Sequence, residues 1–302
     1  PETTKLHDDE VDIDAALVAR LLADQFPRWA DRRLRAAPSG TDNITFRLGE
    51  DLAVRLPRTP GTQHQIGLDS TWLPRLAPHL PLAVPELLAL GEPGEGYPFT
   101  WGVYRWLDGE DFDLDGVDPA QAAADLAGFV HSLQAIDATG APVPADDPFA
   151  RGTPLGPRDA LFREALDELR DEFDTGLVLA AWERSLEADT WSGPPVWIHG
   201  DLMSGNLLMR GGRLSAVIDF ATLRAADPAG DLLAAWYVFD ETSRQTYRAE
   251  LGVDDDTWAR ARGWALSLSL IAIPYYRKRF PDQVSGSPAL IAETLADFAA
   301  EA

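Results

Sequence analysis

Residues 196–220 constrain this chain more than any other stretch. Three short apolar runs, 196–198, 206–209 and 214–220, interrupt a C-terminal region whose spacing is otherwise helical. The polar turn His199-Gly200-Asp201-Leu202-Met203-Ser204-Gly205 follows the first run, and Gly211-Gly212 joins the other two as a hairpin. Strand ends that deliver polar residues to one loop inside a helical region exclude a plain helix bundle.

The N-terminal part reads differently. Asp12 and Asp14 are placed to cap a helix carrying Leu17, Val18, Leu21 and Leu22 on one face. Two alternating runs, 44–48 and 52–56, joined by Gly49-Glu50-Asp51, predict a hairpin. Residues 63–77 predict a helix, and 84–90 and 99–107 predict strands. From Pro119 onward Ala-rich patterns predict helices over 119–138 and 158–189, and Trp264, Leu268, Ile271 and Tyr275 form one stripe, from which Trp264 and Tyr275 are expected in the core. The polar, turn-rich residues 107–118 are expected to form a linker. The expectation is an α+β protein with domains 1–107 and 108–302.

Composition narrows the function classes. With 302 residues and 45% hydrophobic side chains, the chain can fill one large core or two modest ones. The absence of cysteine excludes disulfides, zinc ribbons and thiol nucleophiles. A formal charge of −23, from 49 acids against 26 bases, argues against nucleic-acid binding; it favours cationic small partners, or reflects only an acidic surface that keeps the chain soluble. No apolar run has the length of a membrane span, and the acidic start lacks a targeting pattern, so a cytoplasmic protein is expected. The only lysines are Lys5 and Lys278, so phosphate contacts that lysine often makes must fall to arginine.

Asp201, Asn206 and Asp219 are the chemically informative residues. Mg²⁺ takes oxygen ligands, commonly one or two protein side chains plus substrate phosphates. Asn206 and Asp219 suit that role and leave Asp201 free to accept a proton from an alcohol. The pattern His-Gly-Asp-x-x-x-x-Asn, followed by Asp219-Phe220, resembles the aminoglycoside phosphotransferase family of small-molecule kinases. The resemblance extends to residues 39–43, 54–58 and 103–107, and to Asp227-Pro228 and Asp231-Leu232.

It implies a two-lobed, protein-kinase-like fold, with a small β-rich N-terminal lobe and a larger, mainly helical C-terminal lobe. It also implies ATP (GTP as alternative) and Mg as cofactors, Asp201 as catalytic base, and Asn206 and Asp219 as Mg²⁺ ligands. By the same resemblance Ser39, Gly40 and Thr41 cover the phosphates, and Tyr104, Trp106 and Leu107 lie where adenine meets the chain. The family's strand lysine and helix glutamate are missing. Arg55 and Asp69 occupy the matching places, and an Arg55–Asp69 pair is expected to replace them. His199 and Asp231 are expected to order the loop rather than to react.

The acceptor is read as the hydroxyl of a small molecule. Asp240, Glu241 and Asp254-Asp255-Asp256, with Trp236, Tyr237, Tyr275 and Tyr276, would suit an aminoglycoside. A macrolide or nucleoside antibiotic and a cellular metabolite are alternatives, and Asp254-Asp255-Asp256 also reads as a helix start. Two other classes compete: a catalytically silent nucleotide-binding pseudokinase, and a metal-dependent phosphohydrolase, which needs more histidines than His199. Oligomeric state is not encoded in these patterns.

Overall fold

The computed structural model describes residues 10–37, 42–144, 147, 150–279 and 287–301. The chain divides into two compact units: residues 1–78, 83–109 and 216–221 form the first, and 79–82, 110–215 and 222–302 the second.

In the first unit, α1 (Ala15–Gln25) starts at Asp14, whose Oδ1 accepts the Leu17 amide at 2.7 Å. The sheet contains β1 (Leu34–Ala36), β2 (Asn43–Leu48), β3 (Leu52–Pro57), β4 (Leu87–Gly91) and β5 (Trp101–Arg105), in the order β1-β2-β3-β5-β4. All its pairings are antiparallel. Helices α2 (His64–Thr71) and α3 (Leu73–Leu76) follow β3. The predicted hairpin is present in register, with Leu48 opposite Leu52 and Ile44 opposite Leu56. The buried faces of α1 and the sheet share one core that includes Leu21, Leu48, Val54, Trp101 and Val103.

The other face of the sheet carries polar groups. Ala53 pairs with Tyr104 and Arg55 with Gly102, so these four residues share a side. A Cβ at Gly102 would stand 2.6 Å from the Tyr104 ring. Glycine there gives that ring its space.

The second unit begins with β6 (Glu110–Asp111) and α4 (Pro119–Gln134), continues through α5 (Asp159–Glu168) and α6 (Thr175–Glu187), and then enters β7 (Val196–Ile198). The hairpin of β8 (Leu207–Arg210) and β9 (Arg213–Val217) follows, then β10 (Arg224–Ala226). β7 pairs with β10 and β6 with β8, both antiparallel. Helices α7 (Ala229–Leu232), α8 (Ala234–Tyr237), α9 (Glu241–Leu251), α10 (Asp255–Arg279) and α11 (Ser287–Ala300) complete it. The last residues of β9, Ala216 and Val217, are grouped with the first unit.

Two sequence expectations need correction. The stretch 158–189 is two helices, because Asp174 accepts the Leu177 amide at 3.1 Å and starts α6 afresh. In the turn-rich stretch 107–118, where one division between the units falls, Glu110 pairs with Met209, Asp113 caps a short turn and Asp118 caps α4. Tyr275 is 57% exposed, not core. It lies just past Pro274, where α10 leaves the packed body, and meets Tyr276 edge-on at 5.4 Å. Earlier in α10 the buried residues include Trp258, Arg262, Trp264, Leu266 and Leu270. These residues point in several directions, as expected for a helix covered on most sides.

Trp182 is fully buried, stacks on Phe162 at 4.2 Å between ring centroids and donates its indole N–H to Asp159 at 2.8 Å. Trp182→Ala should destabilise the protein by about 3–5 kcal/mol, the usual cost of such a cavity. Urea denaturation followed by far-UV circular dichroism measures it, and a loss below about 1 kcal/mol would contradict this packing.

Candidate active site

Each unit carries its own cluster of the residues singled out above. The first unit gathers Arg55, Asp69, Tyr104 and Asp219; the second gathers Asp201 and Asn206.

Helix α2 presents Gln65 and Asp69, one turn apart, on the same face. Both are 1% exposed. The Tyr104 hydroxyl donates to Asp69 Oδ2 at 2.8 Å, and the Arg55 guanidinium lies 3.8 Å from the same oxygen. The Arg55–Asp69 pair foreseen from the sequence is therefore present, as an ion pair without a hydrogen bond. Arg55 also lies 5.4 Å from the Tyr104 ring centre. Among the described residues its N–H groups have no hydrogen-bond acceptor.

Burial would lower the Arg55 guanidinium, but Tyr104, Asp69, Asp219 and Asp42 together hold it above its ordinary value. Burial pushes the Asp69 carboxyl up, against the pull of Arg55 and the Tyr104 hydroxyl. The carboxylates keep Arg55 charged, and its N–H groups stay free of hydrogen bonds to them.

Gln65 is a residue that sequence reasoning missed. Its Nε2 donates to Asp219 Oδ1 at 3.0 Å, while its Oε1 accepts from Asn43 Nδ2 at 2.7 Å. Its spacing of four from Asp69 was the available signal. Asp219 itself has φ +65°, a left-handed backbone that a non-glycine residue holds only when its surroundings dictate it.

In the second unit β7 ends at Ile198, and the next two amides turn onto Asp231. His199 N–H donates to Asp231 Oδ2 at 2.9 Å and Gly200 N–H to Oδ1 at 2.6 Å. Both His199 and Asp231 have no exposure, and burial raises the Asp231 carboxyl despite these bonds. His199 Nδ1 in turn accepts the Asp201 amide at 3.2 Å. Gly200 sits at φ +81°, where a Cβ would come within 3.0 Å of Thr222 Oγ1. His199 and Asp231 thus order the loop, as read from the sequence.

Asn206 Nδ2 donates to both the carbonyl oxygen of Asp201, at 2.8 Å, and its Oδ2, at 3.0 Å. That leaves the Asn206 Oδ1 outside both of these bonds. Asp201 Oδ1 lies 3.7 Å from Arg151 Nη2, and the Asp201 side chain keeps 27% exposure.

The remaining predicted positions behave differently. Ser39, Gly40 and Thr41 lie outside the described residues. Tyr104 is paired within the sheet on both sides, with Ala53 and Leu87. Trp106 gives its amide to Asp51 O at 2.9 Å and its ring to Arg47, 4.6 Å away. Leu107, half-buried, follows it. Of the acids expected to face an acceptor, Asp240 and Asp254 cap α9 and α10, while Asp255 and Asp256 pair with Arg248 and Arg184. Among the described residues no three His, Asp or Glu side chains form a metal centre. No helix among them is long and apolar enough to cross a membrane. A cavity of about 920 Å³ in the second unit is walled by Leu155, Leu186, Trp191, Ala226 and the Asp227–Arg260 ion pair, and holds none of the predicted site residues.

The model of the phosphotransferase enzyme family matches residues 33–264. The chain belongs to that family and is accordingly a phosphotransferase. Wild-type aminoglycoside 2'-phosphotransferase-IIIa, solved as its GDP complex, is 22% identical with a TM-score of 0.72, over 95% of this chain and 100% of that one. The apoenzyme of macrolide 2'-phosphotransferase MphH from Brachybacterium faecium is 24% identical with a TM-score of 0.61, over 94% and 97%. The streptomycin–ATP ternary complex of APH(2")-IIa is 16% identical with a TM-score of 0.60, over 93% and 99%. These likenesses show the shared kinase-like α+β fold. No curated protein matches the chain.

Gln65→Ala removes the link between Asn43 and Asp219 and leaves a buried amide unpaired. It should cost about 1–3 kcal/mol of stability. Chemical denaturation of the variant measures it, and an unchanged midpoint would contradict the bridge.

Proposed function

We propose that the chain transfers the γ-phosphoryl group of a nucleoside triphosphate, ATP or alternatively GTP, to a hydroxyl of a small molecule. An aminoglycoside or another antibiotic is one acceptor class to test, and a cellular metabolite the other. The observation that carries the reading is the tie of Asn206 to Asp201, which fixes one carboxylate oxygen and leaves the group partly open.

Asp201 takes the part of general base. Its carboxylate orients the acceptor O–H and receives the proton as that oxygen forms its bond to the γ-phosphorus. The bond from the γ-phosphorus to the bridging oxygen breaks, and the nucleoside diphosphate leaves with the electron pair. Arg55, steadied by Asp69 and Tyr104, offers its N–H groups to the nucleotide phosphates in place of the usual lysine. Ser39, Gly40 and Thr41 are proposed to cover those phosphates, and Tyr104, Trp106 and Leu107 to border the base.

Asn206 Oδ1 and the Asp219 carboxylate are hard oxygen donors of the kind Mg²⁺ selects, and we assign the metal to them. When bound, Mg²⁺ supplies charge neutralisation on the phosphates. The Gln65 bond leaves Asp219 Oδ2 for that purpose. The nucleotide and aminoglycoside complexes named for the neighbours support this reading. A silent nucleotide-binding protein is the second reading, favoured by arginine standing where the family has lysine.

Asp201→Ala should lower kcat by ~10²–10⁴-fold with nucleotide affinity retained. Acceptor-dependent release of nucleoside diphosphate measures the rate, and calorimetry with the triphosphate measures the affinity. Full turnover in this variant would remove Asp201 from its role. Arg55→Ala should raise the nucleotide KM about tenfold or more, the loss of a charge-assisted contact. An unchanged KM and kcat would end the assignment of Arg55 to phosphate.

A further inference from the structure

We infer that the acceptor carries an oxyanion, a carboxylate or a phosphate, close to the hydroxyl that is phosphorylated, and that Arg151 with Arg224 receives it. The inference rests on the proposed role of Asp201 as base. It sets these arginines beside that residue as a specificity wall.

The arginines come to Asp201 by packing. Gly152 lies against the β7–β10 ribbon, where its Cβ would meet Ala226 Cβ at 2.5 Å and Ile198 Cδ1 at 3.0 Å. That contact seats Arg151 beside the loop, and a Cβ on Gly200 would stand 3.3 Å from Arg151 Cβ. The Arg151 guanidinium then reaches to 3.7 Å from Asp201 Oδ1. Arg224 opens β10 directly opposite Ile198, the residue that precedes His199. Its Nε donates to Thr222 O at 2.9 Å, and Thr222 Oγ1 donates to His199 O. Arg158, 3% exposed, donates from Nε to Ser267 Oγ at 3.0 Å and lies 4.8 Å from the Trp264 ring centre.

These groups act on one another. Burial and then Arg151 pull the Arg158 guanidinium down to about 10, and burial and then Arg151 lower Arg224 as well. Asp147 pulls both back up, and Tyr237 senses Arg151, Asp201 and Arg158. The geometry itself sets Arg151 next to Asp201 and Arg224 at the strand end that adjoins the same loop.

Arg151 is also under-supplied with acceptors. Its Nε is buried without a hydrogen-bond partner, and its contact with Asp201 exceeds hydrogen-bond length. The outer N–H groups of the Arg151 guanidinium stay partly exposed, and an oxyanion beside Asp201 would give them charge-assisted bonds. An ammonium group of an aminoglycoside would instead meet like charge. Of the acids expected to hold such ammonium groups, Asp240, Asp254, Asp255 and Asp256 are used as helix caps and in ion pairs, as described above.

The test uses the full chain with Mg²⁺ and ATP or GTP, and acceptors matched in skeleton but not in charge. Glycerate and glucose 6-phosphate represent the carboxylate and phosphate sources. Glycerol and glucose are their neutral counterparts, and an aminoglycoside is the cationic one. Transfer should favour the anionic members by about tenfold or more in kcat/KM. Arg151→Ala should raise the KM for the anionic acceptor by a similar factor with the nucleotide KM unchanged, and Arg151→Lys should restore part of it. Equal or better use of neutral or cationic acceptors would overturn the inference while keeping the kinase reading. So would a rise in nucleotide KM alone on Arg151→Ala.

A binding readout is independent of turnover. In the Arg55→Ala background, inorganic phosphate should still raise the melting temperature, and the shift should disappear when Arg151→Ala is added. Persistence of the shift in the double variant overturns the oxyanion site. Loss of turnover with every acceptor alongside an Arg151-dependent shift would instead sink the kinase reading and leave the oxyanion site standing as a ligand site.

Discussion

A buried carboxylate organises the second unit. Asp231 is fully enclosed on α7, and its two oxygens take the amides of His199 and Gly200 where the chain leaves β7. Enclosure without partners would be prohibitive, and two backbone donors together with the imidazole of His199 offset part of it. Everything beyond Gly200 inherits its direction from that contact. The Asp201 amide reaches His199, and Asn206 then closes the loop back onto Asp201. The arginines beside Asp201 depend on the same anchor, because their places are set by packing against β7 and its partner strand.

The first unit solves a different problem with the same limited set of cations. Almost all its basic charge is arginine, whose planar group is always protonated and delivers several donors in one plane. Arg55 lies in a field of carboxylates from α2 and from residues 42 and 219, yet none of them is within hydrogen-bond distance. Attraction holds the side chain in place without using its donors. The tyrosine between them, in space left by Gly102, fixes Asp69 and so limits how far it can follow the guanidinium.

Much of this was legible in the sequence, and the failures have physical causes. The hairpin, the caps at Asp14 and Asp254 and the strand–loop–hairpin around Asp201 are short-range patterns, so spacing and turn chemistry disclosed them. The Arg55–Asp69 pair was legible because no other acid lies between Pro57 and Val84. Periodicity alone could not show where α10 leaves the core, which is why Tyr275 was misplaced. The break before α6 depended on a single aspartate choosing to cap rather than to continue a helix. Gln65 and Arg151 were invisible for another reason. An uncharged amide and one arginine among many carry no pattern, and their meaning comes only from residues far away in the chain.

The left-handed backbone at Asp219 bears on which substitutions the position accepts. Asparagine and glycine accept that conformation readily, whereas branched and bulky residues resist it. Asparagine or glycine here would keep the local path of the chain while discarding the negative charge, so shape and charge at this position can be separated by a single substitution.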